Sequence, residues 1–171
     1  MEKELHLQRI EKLREMVSDL LASSPDEALN WRPGLEGEKG TYNSLAILAS
    51  HIAGTEHFWI SEVIGKRPAV RDRDAEFAAK ADNNHPLLKM LELTGNETRE
   101  IISGLTDTDL NRLVKVDGEQ VSVRWCLMQV ASHTAMHLGH MQLTFQLWNG
   151  GKMFSDVRWK SMIPVESNTS N

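Results

Sequence analysis

The sequence has few of the features that mark several protein classes. Cys126 is the only cysteine in the 171 residues, which excludes an intramolecular disulfide framework and suits a reducing cytoplasm. No apolar run is long enough to cross a membrane, and the first residues lack the apolar stretch of a signal peptide. We therefore expect a cytoplasmic protein that does not bind to a membrane.

Clusters of basic residues are also missing. The chain carries 19 Lys and Arg residues against 24 Asp and Glu residues, and its formal net charge is −5. No basic run could neutralise a series of phosphates, so we expect no nucleic-acid partner. The sequence has no internal repeat, and its length is typical of one domain with its own core. It predicts a single domain over residues 1–165 and a disordered polar tail over residues 166–171.

Four segments show the apolar periodicity of amphipathic helices. They cover approximately residues 4–22, 41–63, 84–104 and 122–148. Asp117-Gly118 lies between two β-branched runs and predicts a small hairpin before the last helix. These elements predict an all-α fold, an antiparallel four-helix bundle, and leave the steeper crossings of a globin-like packing open.

The fourth predicted helix carries a stripe of three histidines, His133, His137 and His140. At about 100° per residue, these side chains fall within an arc of about 60° on the helix surface. Apolar residues flank the stripe on both sides: Trp125, Met136, Leu143 and Leu147 on one, and Val130, Met141 and Trp148 on the other. We expect the stripe to be centred on the inward face of the helix and to be at least partly buried.

Three buried imidazoles need partners. Each neutral ring has one donor and one acceptor, and leaving these unpaired in the interior is costly, as is charging the rings together. A divalent metal ion would use their lone pairs, and the i, i+4 spacing of His133 and His137 directs two rings to one point. The alternative is a buried hydrogen-bonded network without a metal. Within the metal interpretation, His133 and His137 are the surest ligands.

A third ligand has to come from a facing helix. His51 is the natural candidate because it lies inside the second predicted helix, close to its apolar face, although a lone helical histidine is more often a satisfied core residue. His57 is about 120° away from His51 and is predicted to face the surface or a loop. His6 and His85 lie at the ends of predicted helices, where capping and solvent explain them.

Other side chains are candidates for a pocket beside the histidines. Gln129 lies one turn before the stripe and either reaches the site or marks the helix boundary. Trp31, Trp125 and Trp159 either form the wall of a substrate pocket or anchor the core. Cys126 is predicted to be a buried, inert thiol because nothing adjacent would depress its pKa.

Three stretches together resemble the DinB/YfiT-like superfamily. They are residues 45–59 around His51, the fourth-helix pattern His133-x-x-x-His137-x-Gly139-His140 preceded by Val123-Arg124-Trp125, and the connector Leu29-Asn30-Trp31-Arg32-Pro33. They occur in the expected order and span most of the chain. The resemblance implies a four-helix bundle of up-down-down-up connectivity and a site in which His51, His133 and His137 hold nickel or zinc. It also implies a homodimer.

Relatives of this kind include thiol-dependent S-transferases and isomerases that use bacillithiol, mycothiol or glutathione, hydrolases, and many proteins without a known reaction. The resemblance therefore implies a metal-dependent enzyme that activates a low-molecular-weight thiol against a small electrophile, or water in a hydrolase. A non-catalytic metal-binding or stress-associated bundle is the alternative. His140 departs from the glutamine that many relatives carry there. His140 is a proton-transfer group, an outer-shell residue that supports a metal ligand without binding the metal itself, or a fourth ligand that would close the site.

Overall fold

The described part of the chain, residues 2–34 and 42–152 of a computed structural model, consists mainly of helices. The helices are α1 (Glu2–Ser23), α2 (Asp26–Leu29), α3 (Leu45–His57), α4 (Arg73–Ala78), α5 (His85–Ser103) and α6 (Val123–Trp148). A π-helical segment, Phe58–Ile64, continues α3, and a 3₁₀ turn, Asp107–Asn111, precedes strands β1 (Leu113–Val116) and β2 (Glu119–Ser122). Trp159 and the predicted tail at 166–171 lie outside the described residues. None of the described helices is long and apolar enough to span a bilayer.

The four predicted helices are confirmed, and local capping sets their starts. The hydroxyl of Ser44 accepts a hydrogen bond from the Ile47 amide and begins α3, and the hydroxyl of Ser122 accepts one from the Trp125 amide and begins α6. The hairpin is also confirmed. Its turn places Asp117 at φ 51° and Gly118 at φ 86°, the left-handed conformations that a two-residue hairpin turn requires.

The directions of α1, α5 and α6 follow from contacts at their ends. Asn84, just before α5, donates a hydrogen bond of 3.2 Å to the carbonyl of Leu21 near the end of α1, so these helices are antiparallel. Arg124 at the start of α6 donates to Glu2 at the start of α1 over 2.6 Å, so α1 and α6 are parallel.

The second long helix runs in the same direction as α5. Thr98 donates a hydrogen bond of 2.6 Å to Glu56, and farther along both helices Gly65 lies against Ile101. Helix α3 packs against α5 and α6, as does α1. The connectivity is therefore up-down-down-up, which confirms the predicted four-helix bundle.

A buried ion pair joins three of these helices inside the bundle. The guanidinium of Arg14 on α1 donates to the carboxylate of Glu56 on α3, and Thr98 on α5 donates to the same oxygen. The guanidinium lies against Gly95, where an added Cβ would be only 2.5 Å from its Nε atom. The apolar core packs on both sides of this polar link.

The orientation of α6 differs from the prediction. Its buried face is formed by Val123, Cys126, Leu127, Val130, Thr134, Leu138, Met141, Thr144 and Phe145. Four residues predicted to flank an inward stripe, Trp125, Met136, Leu143 and Leu147, are instead exposed. The histidines lie at the margin of the buried face, where His133 and His137 are half-buried and His140 is exposed. No charged residue occurs between Trp125 and Trp148, so the sequence contains no polar face that marks the outside of the helix.

Two short helices were not predicted. Helix α2 has four residues and α4 has six, which is too short for an apolar periodicity to be recognised. Helix α4 begins where the carboxylate of Asp72 accepts a hydrogen bond of 2.9 Å from the Ala75 amide. It lies against α3 and carries a carboxylate into the region of the predicted histidine site.

Candidate metal centre

The rings of His51, His133 and His137 meet between α3 and α6. Their centroids are 4.3 Å apart for His133 and His137, 4.8 Å for His51 and His133, and 5.0 Å for His51 and His137. With one nitrogen taken from each ring, all three atoms lie within 4.8 Å of one another. His51 is 5 % exposed, because nearly every residue of α3 around it is buried. The structure thus brings together three of the histidines selected from the sequence.

A carboxylate on α4 orients the ring of His51. Oε2 of Glu76 lies 2.8 Å from Nδ1 of His51. Burial would raise the pKa of Glu76, but hydrogen bonds from Arg71 and His51 outweigh it and hold that pKa below its usual range. An ionised carboxylate only accepts hydrogen bonds, so Nδ1 is assigned the proton and Nε2 keeps its lone pair. That lone pair faces Nε2 of His133 at 3.1 Å.

Arg71 holds the carboxylate in this position. Its guanidinium donates to both oxygens of Glu76, over 2.6 Å and 2.9 Å, and to the hydroxyl of Thr55 over 3.0 Å. The backbone of Arg71 is itself fixed, because Oε1 of Glu62 accepts from the amides of Val70 and Arg71 over 2.8 Å and 2.9 Å. A chain of hydrogen bonds therefore runs from the π-helical segment through Arg71 and Glu76 to the ring of His51.

Close packing of α4 on α3 depends on a glycine. A Cβ atom added to Gly54 would lie 2.0 Å from Oε1 of Glu76, so only glycine leaves room for the carboxylate. On the same side, the ring of Phe77 lies 4.9 Å from that of His51, and the guanidinium of Arg73 lies 5.1 Å over Phe77. The first turns of α4 thus form one wall of the histidine cluster.

Two of the rings are neutral at neutral pH. Burial lowers the pKa of His133 to about 3, and the charges of nearby histidines and arginines act in the same direction. Burial also lowers the pKa of His137 to about 4, again with neighbouring histidines contributing. Neutral imidazole is the form that binds metal ions.

The donor set fits a divalent metal ion. Ligands at 2.0–2.1 Å from a tetrahedral zinc ion would be about 3.3 Å apart, close to the 3.1 Å between the Nε2 atoms of His51 and His133. The buried Nδ1 atom of His133 has no hydrogen-bond partner within the described residues, and an ion bound at Nε2 of the same ring would leave it unpaired as well, so this atom does not separate a metal site from a metal-free network. Three nitrogen donors on two helices, with one ring fixed by a carboxylate, could hold nickel or zinc.

His140 lies beside this cluster rather than within it. Its Nδ1 atom is 3.3 Å from Nδ1 of His137, and the two ring centroids are 5.3 Å apart. On its other side, His140 lines a cavity of about 960 Å³ together with Trp31, Tyr42 and Leu147. In this position His140 is close enough to His137 for two of its predicted roles, proton transfer and support of His137.

Of the other predicted pocket residues, Trp31 lines the cavity, whereas Gln129 and Trp125 do not. Trp31 lines the cavity beside His140, as described. Gln129 is half-buried, but it is not among the residues that line this cavity. Trp125 is exposed and packs against Trp59 with ring centroids 5.2 Å apart. Cys126 is fully buried, as predicted, and burial raises the pKa of its thiol to about 11.

His57, predicted to face the surface or a loop, lies beside the loop residues Val70 and Arg71 and is also covered by α5. Its ring lies half-buried between α3 and α5, with Nδ1 2.8 Å from Oε2 of Glu97. The same oxygen accepts a hydrogen bond of 2.7 Å from Ser61. Periodicity indicated that His57 points away from His51, but it could not show that α5 covers that side.

Sequence reasoning did not identify Glu76 and Arg71. A carboxylate partner is common for a metal-binding histidine, but nothing in the sequence distinguishes Glu76 among 24 acidic residues. Both residues lie in a charged connector whose placement against α3 is decided by tertiary packing. The one local signal is Asp72, whose capping of α4 determines where Glu76 falls on the helix.

Comparisons with known proteins agree with this architecture. The family model of the DinB superfamily matches residues 9–141. A DinB-like protein from Bacillus cereus is similar in structure, with a TM-score of 0.70 and 18 % identity over 88 % of this chain and 95 % of that one. A conserved protein from Enterococcus faecalis gives 0.68 and 16 %, over 86 % and 96 %. At these identities the likeness shows the fold alone. A search of the curated proteins finds no match.

Proposed function

This chain belongs to the DinB superfamily, and we propose that it binds one divalent metal ion and uses it to activate a low-molecular-weight thiol or a water molecule. His51, His133 and His137 would hold the ion, which we expect to be nickel or zinc. The observation that carries this proposal is the convergence of three imidazoles from two helices, one of them fixed by the buried carboxylate of Glu76.

Three protein ligands leave a coordination position open, where a divalent ion would lower the pKa of a thiol or a water enough for it to react near neutral pH. The residues of the chain have separate tasks around that position. Glu76 keeps the proton of His51 on Nδ1, so that Nε2 stays available as a ligand. We propose that His140 takes up the proton that the thiol or water would release and passes it to solvent; its exposure and the 3.3 Å between its Nδ1 atom and Nδ1 of His137 support this role.

In the reaction, the sulfur of a low-molecular-weight thiol would form a bond to a carbon of a small electrophile, while the thiol loses its proton and the electrophile loses a leaving group such as chloride. With water in the open position, the reaction would be a hydrolysis. The cavity beside His140 offers space for the electrophile. We place this chemistry in the cytoplasm, where low-molecular-weight thiols are kept reduced.

The first experiment is metal analysis of protein purified without a histidine tag. We expect about one nickel or zinc ion per chain, measured by mass spectrometry of the digested protein against its concentration. A protein that stays metal-free after incubation with either ion, followed by desalting, would exclude the proposal. The metal-loaded protein is then assayed for consumption of monochlorobimane with bacillithiol, mycothiol, glutathione or coenzyme A. Metal binding without turnover with any of the four would favour a non-catalytic metal-binding bundle.

We also propose a second copy of this chain as a partner, seated on the exposed face of α6. That face carries large apolar side chains and no charged residue after Arg124. Its members are Trp125, Met128, Met136, Leu143 and Leu147. Trp125 and Leu147 are equally far along the helix from Met136, so the face is self-complementary for two helices related by a two-fold axis. Exposed apolar patches of this kind are typical of protein–protein interfaces.

A further inference from the structure

The cavity beside His140 lies between two parts of the chain that are distant in sequence. The connector after α2 contributes Trp31 and Tyr42, and the last turns of α6 contribute Leu143 and Leu147. Leu48 of α3, only 2 % exposed, closes the inner side. The volume of about 960 Å³ is within the range of sites that hold small molecules.

The cavity wall that the described residues form is mainly apolar and uncharged. Tyr42, Leu143 and Leu147 are large side chains, yet 52 %, 54 % and 51 % of each is exposed in the single chain. Leu143 and Leu147 also belong to the face of α6 on which we propose that a second copy sits. No Asp, Glu, Lys or Arg of the described residues lines the cavity. A charged ligand would lose its hydration there without gaining an ionic partner, whereas an apolar ligand would be stabilised by about 25 cal/mol for each Å² that it buries.

A few polar groups are present at defined places. The side chains of Asn43, Thr144 and His140 offer hydrogen-bonding groups on the cavity wall, as do the hydroxyl of Tyr42 and the indole N–H of Trp31. His140 also reaches Nδ1 of His137, 3.3 Å away, so one side chain connects the cavity with the histidine cluster. A molecule in the cavity can therefore present its polar end to the same side on which the reaction of the proposed function would occur.

We propose that this cavity binds the electrophilic substrate, and that this substrate is an uncharged molecule with an aromatic or aliphatic body and one polar end. Trp31 and Tyr42 supply flat aromatic surfaces for the body, and the polar end lies towards His140. That the bound molecule is a substrate rests on the proposed function, but its binding to the cavity does not require a metal ion. The same cavity discriminates against phosphorylated or carboxylated molecules.

Binding is tested with the uncharged fluorescent probe N-phenyl-1-naphthylamine, titrated into metal-free protein. We expect saturable binding of about one probe per chain. Trp31→Ala and Leu147→Asp each weaken it at least tenfold, because the first removes an aromatic wall and the second puts a charge into the cavity. Leu93→Asp is the matched control, since Leu93 is 53 % exposed on α5, away from the cavity, and we expect a change of less than twofold. Trp31 lies outside α6, so weaker probe binding by Trp31→Ala reports on the cavity and not on a change in dimerisation through that helix.

A second titration uses the anionic relative 8-anilinonaphthalene-1-sulfonate, which we expect to bind at least tenfold more weakly than the uncharged probe. Equal affinities, an equal loss in Leu93→Asp, or no saturable binding to the wild type would each overturn the proposal. The His137→Ala variant separates this result from the proposed function. If it lacks metal but still binds the probe, the cavity stands by itself. If the wild type binds metal but not the probe, only the cavity proposal fails.

Discussion

Nδ1 of His51 lies 2.8 Å from Oε2 of Glu76, and this contact joins the long helix α3 to the short helix α4. The carboxylate sets which nitrogen of the ring carries the proton and turns the other nitrogen towards α6. Histidine–carboxylate pairs of this kind support many protein metal sites, because they orient the ring and raise the basicity of the ligand nitrogen. The pair therefore gives a direct way to test the candidate centre without changing any of the three histidines.

Glu76→Gln is expected to weaken binding of zinc or nickel by about 10–100-fold, since a neutral amide is a poorer acceptor for the proton on Nδ1. The measurement is a competition titration with a chelator of known affinity. Glu97→Gln is the matched control because Glu97 makes the same 2.8 Å contact with His57, outside the cluster. An equal loss of affinity in both variants would contradict the positioning role of Glu76.

Gly54→Ala is expected to displace the carboxylate of Glu76, since the added Cβ would lie 2.0 Å from its Oε1 atom. The variant should lose about 1–3 kcal/mol of unfolding free energy and also bind metal more weakly. The comparison is Gly139→Ala on α6, where an added Cβ meets nothing within 4 Å. That variant should be as stable as the wild type or slightly more stable, because alanine is the better helix former. Urea denaturation of both proteins measures the difference.

His137→Ala is expected to abolish metal binding, whereas His57→Ala should leave it nearly unchanged. His137 lies within the three-ring cluster, and His57 lies between α3 and α5 against Glu97. Metal content per chain after reconstitution and desalting gives the result, with circular dichroism to check that both variants keep their helices. Equal metal content in the two proteins would refute the ligand assignment.

Cys126 is expected to remain unreactive in the native protein, because burial raises the pKa of its thiol to about 11. Only the thiolate reacts, so alkylation by iodoacetamide at pH 8 should be far slower in the folded chain than in guanidinium chloride. The native rate should rise as the pH approaches 11. Fast alkylation at pH 8 would show that this thiol is accessible, and the reactive thiol of the proposed function would then not have to come from a separate molecule.

Met136→Glu is expected to convert a dimer into a monomer, because it places a charge at the centre of the exposed face of α6. Light scattering coupled to size-exclusion chromatography measures the mass of the particle. Leu93→Glu, at an equally exposed position on α5, should leave the mass unchanged. A wild-type protein that is monomeric at all accessible concentrations would contradict the proposal that a second copy of the chain is its partner.

Features that depend on neighbouring residues could be predicted from the sequence. The starts of α3 and α6 depend on the hydroxyls of Ser44 and Ser122 and on amides three residues later. The hairpin depends on the positive φ angles that Asp117 and Gly118 adopt. The i, i+4 spacing in an α-helix likewise ensures that His133 and His137 share one face. These relationships are set by backbone geometry within a few residues, so the order of the amino acids is enough to determine them.

Features that depend on contacts between distant segments were decided by the tertiary structure. His51 meets His133 across 82 residues, and Glu76 reaches His51 across 25, through a short helix that no periodicity marks. The outward face of α6 could not be predicted either, because the helix has no charged residue after Arg124 and therefore no side that water clearly prefers. Which of its apolar sides is buried depends on how α1 and α3 pack against it. The amino-acid sequence by itself therefore determined the four long helices and the spacing of the histidines, while packing decided which carboxylate supports them and which cavity lies beside them.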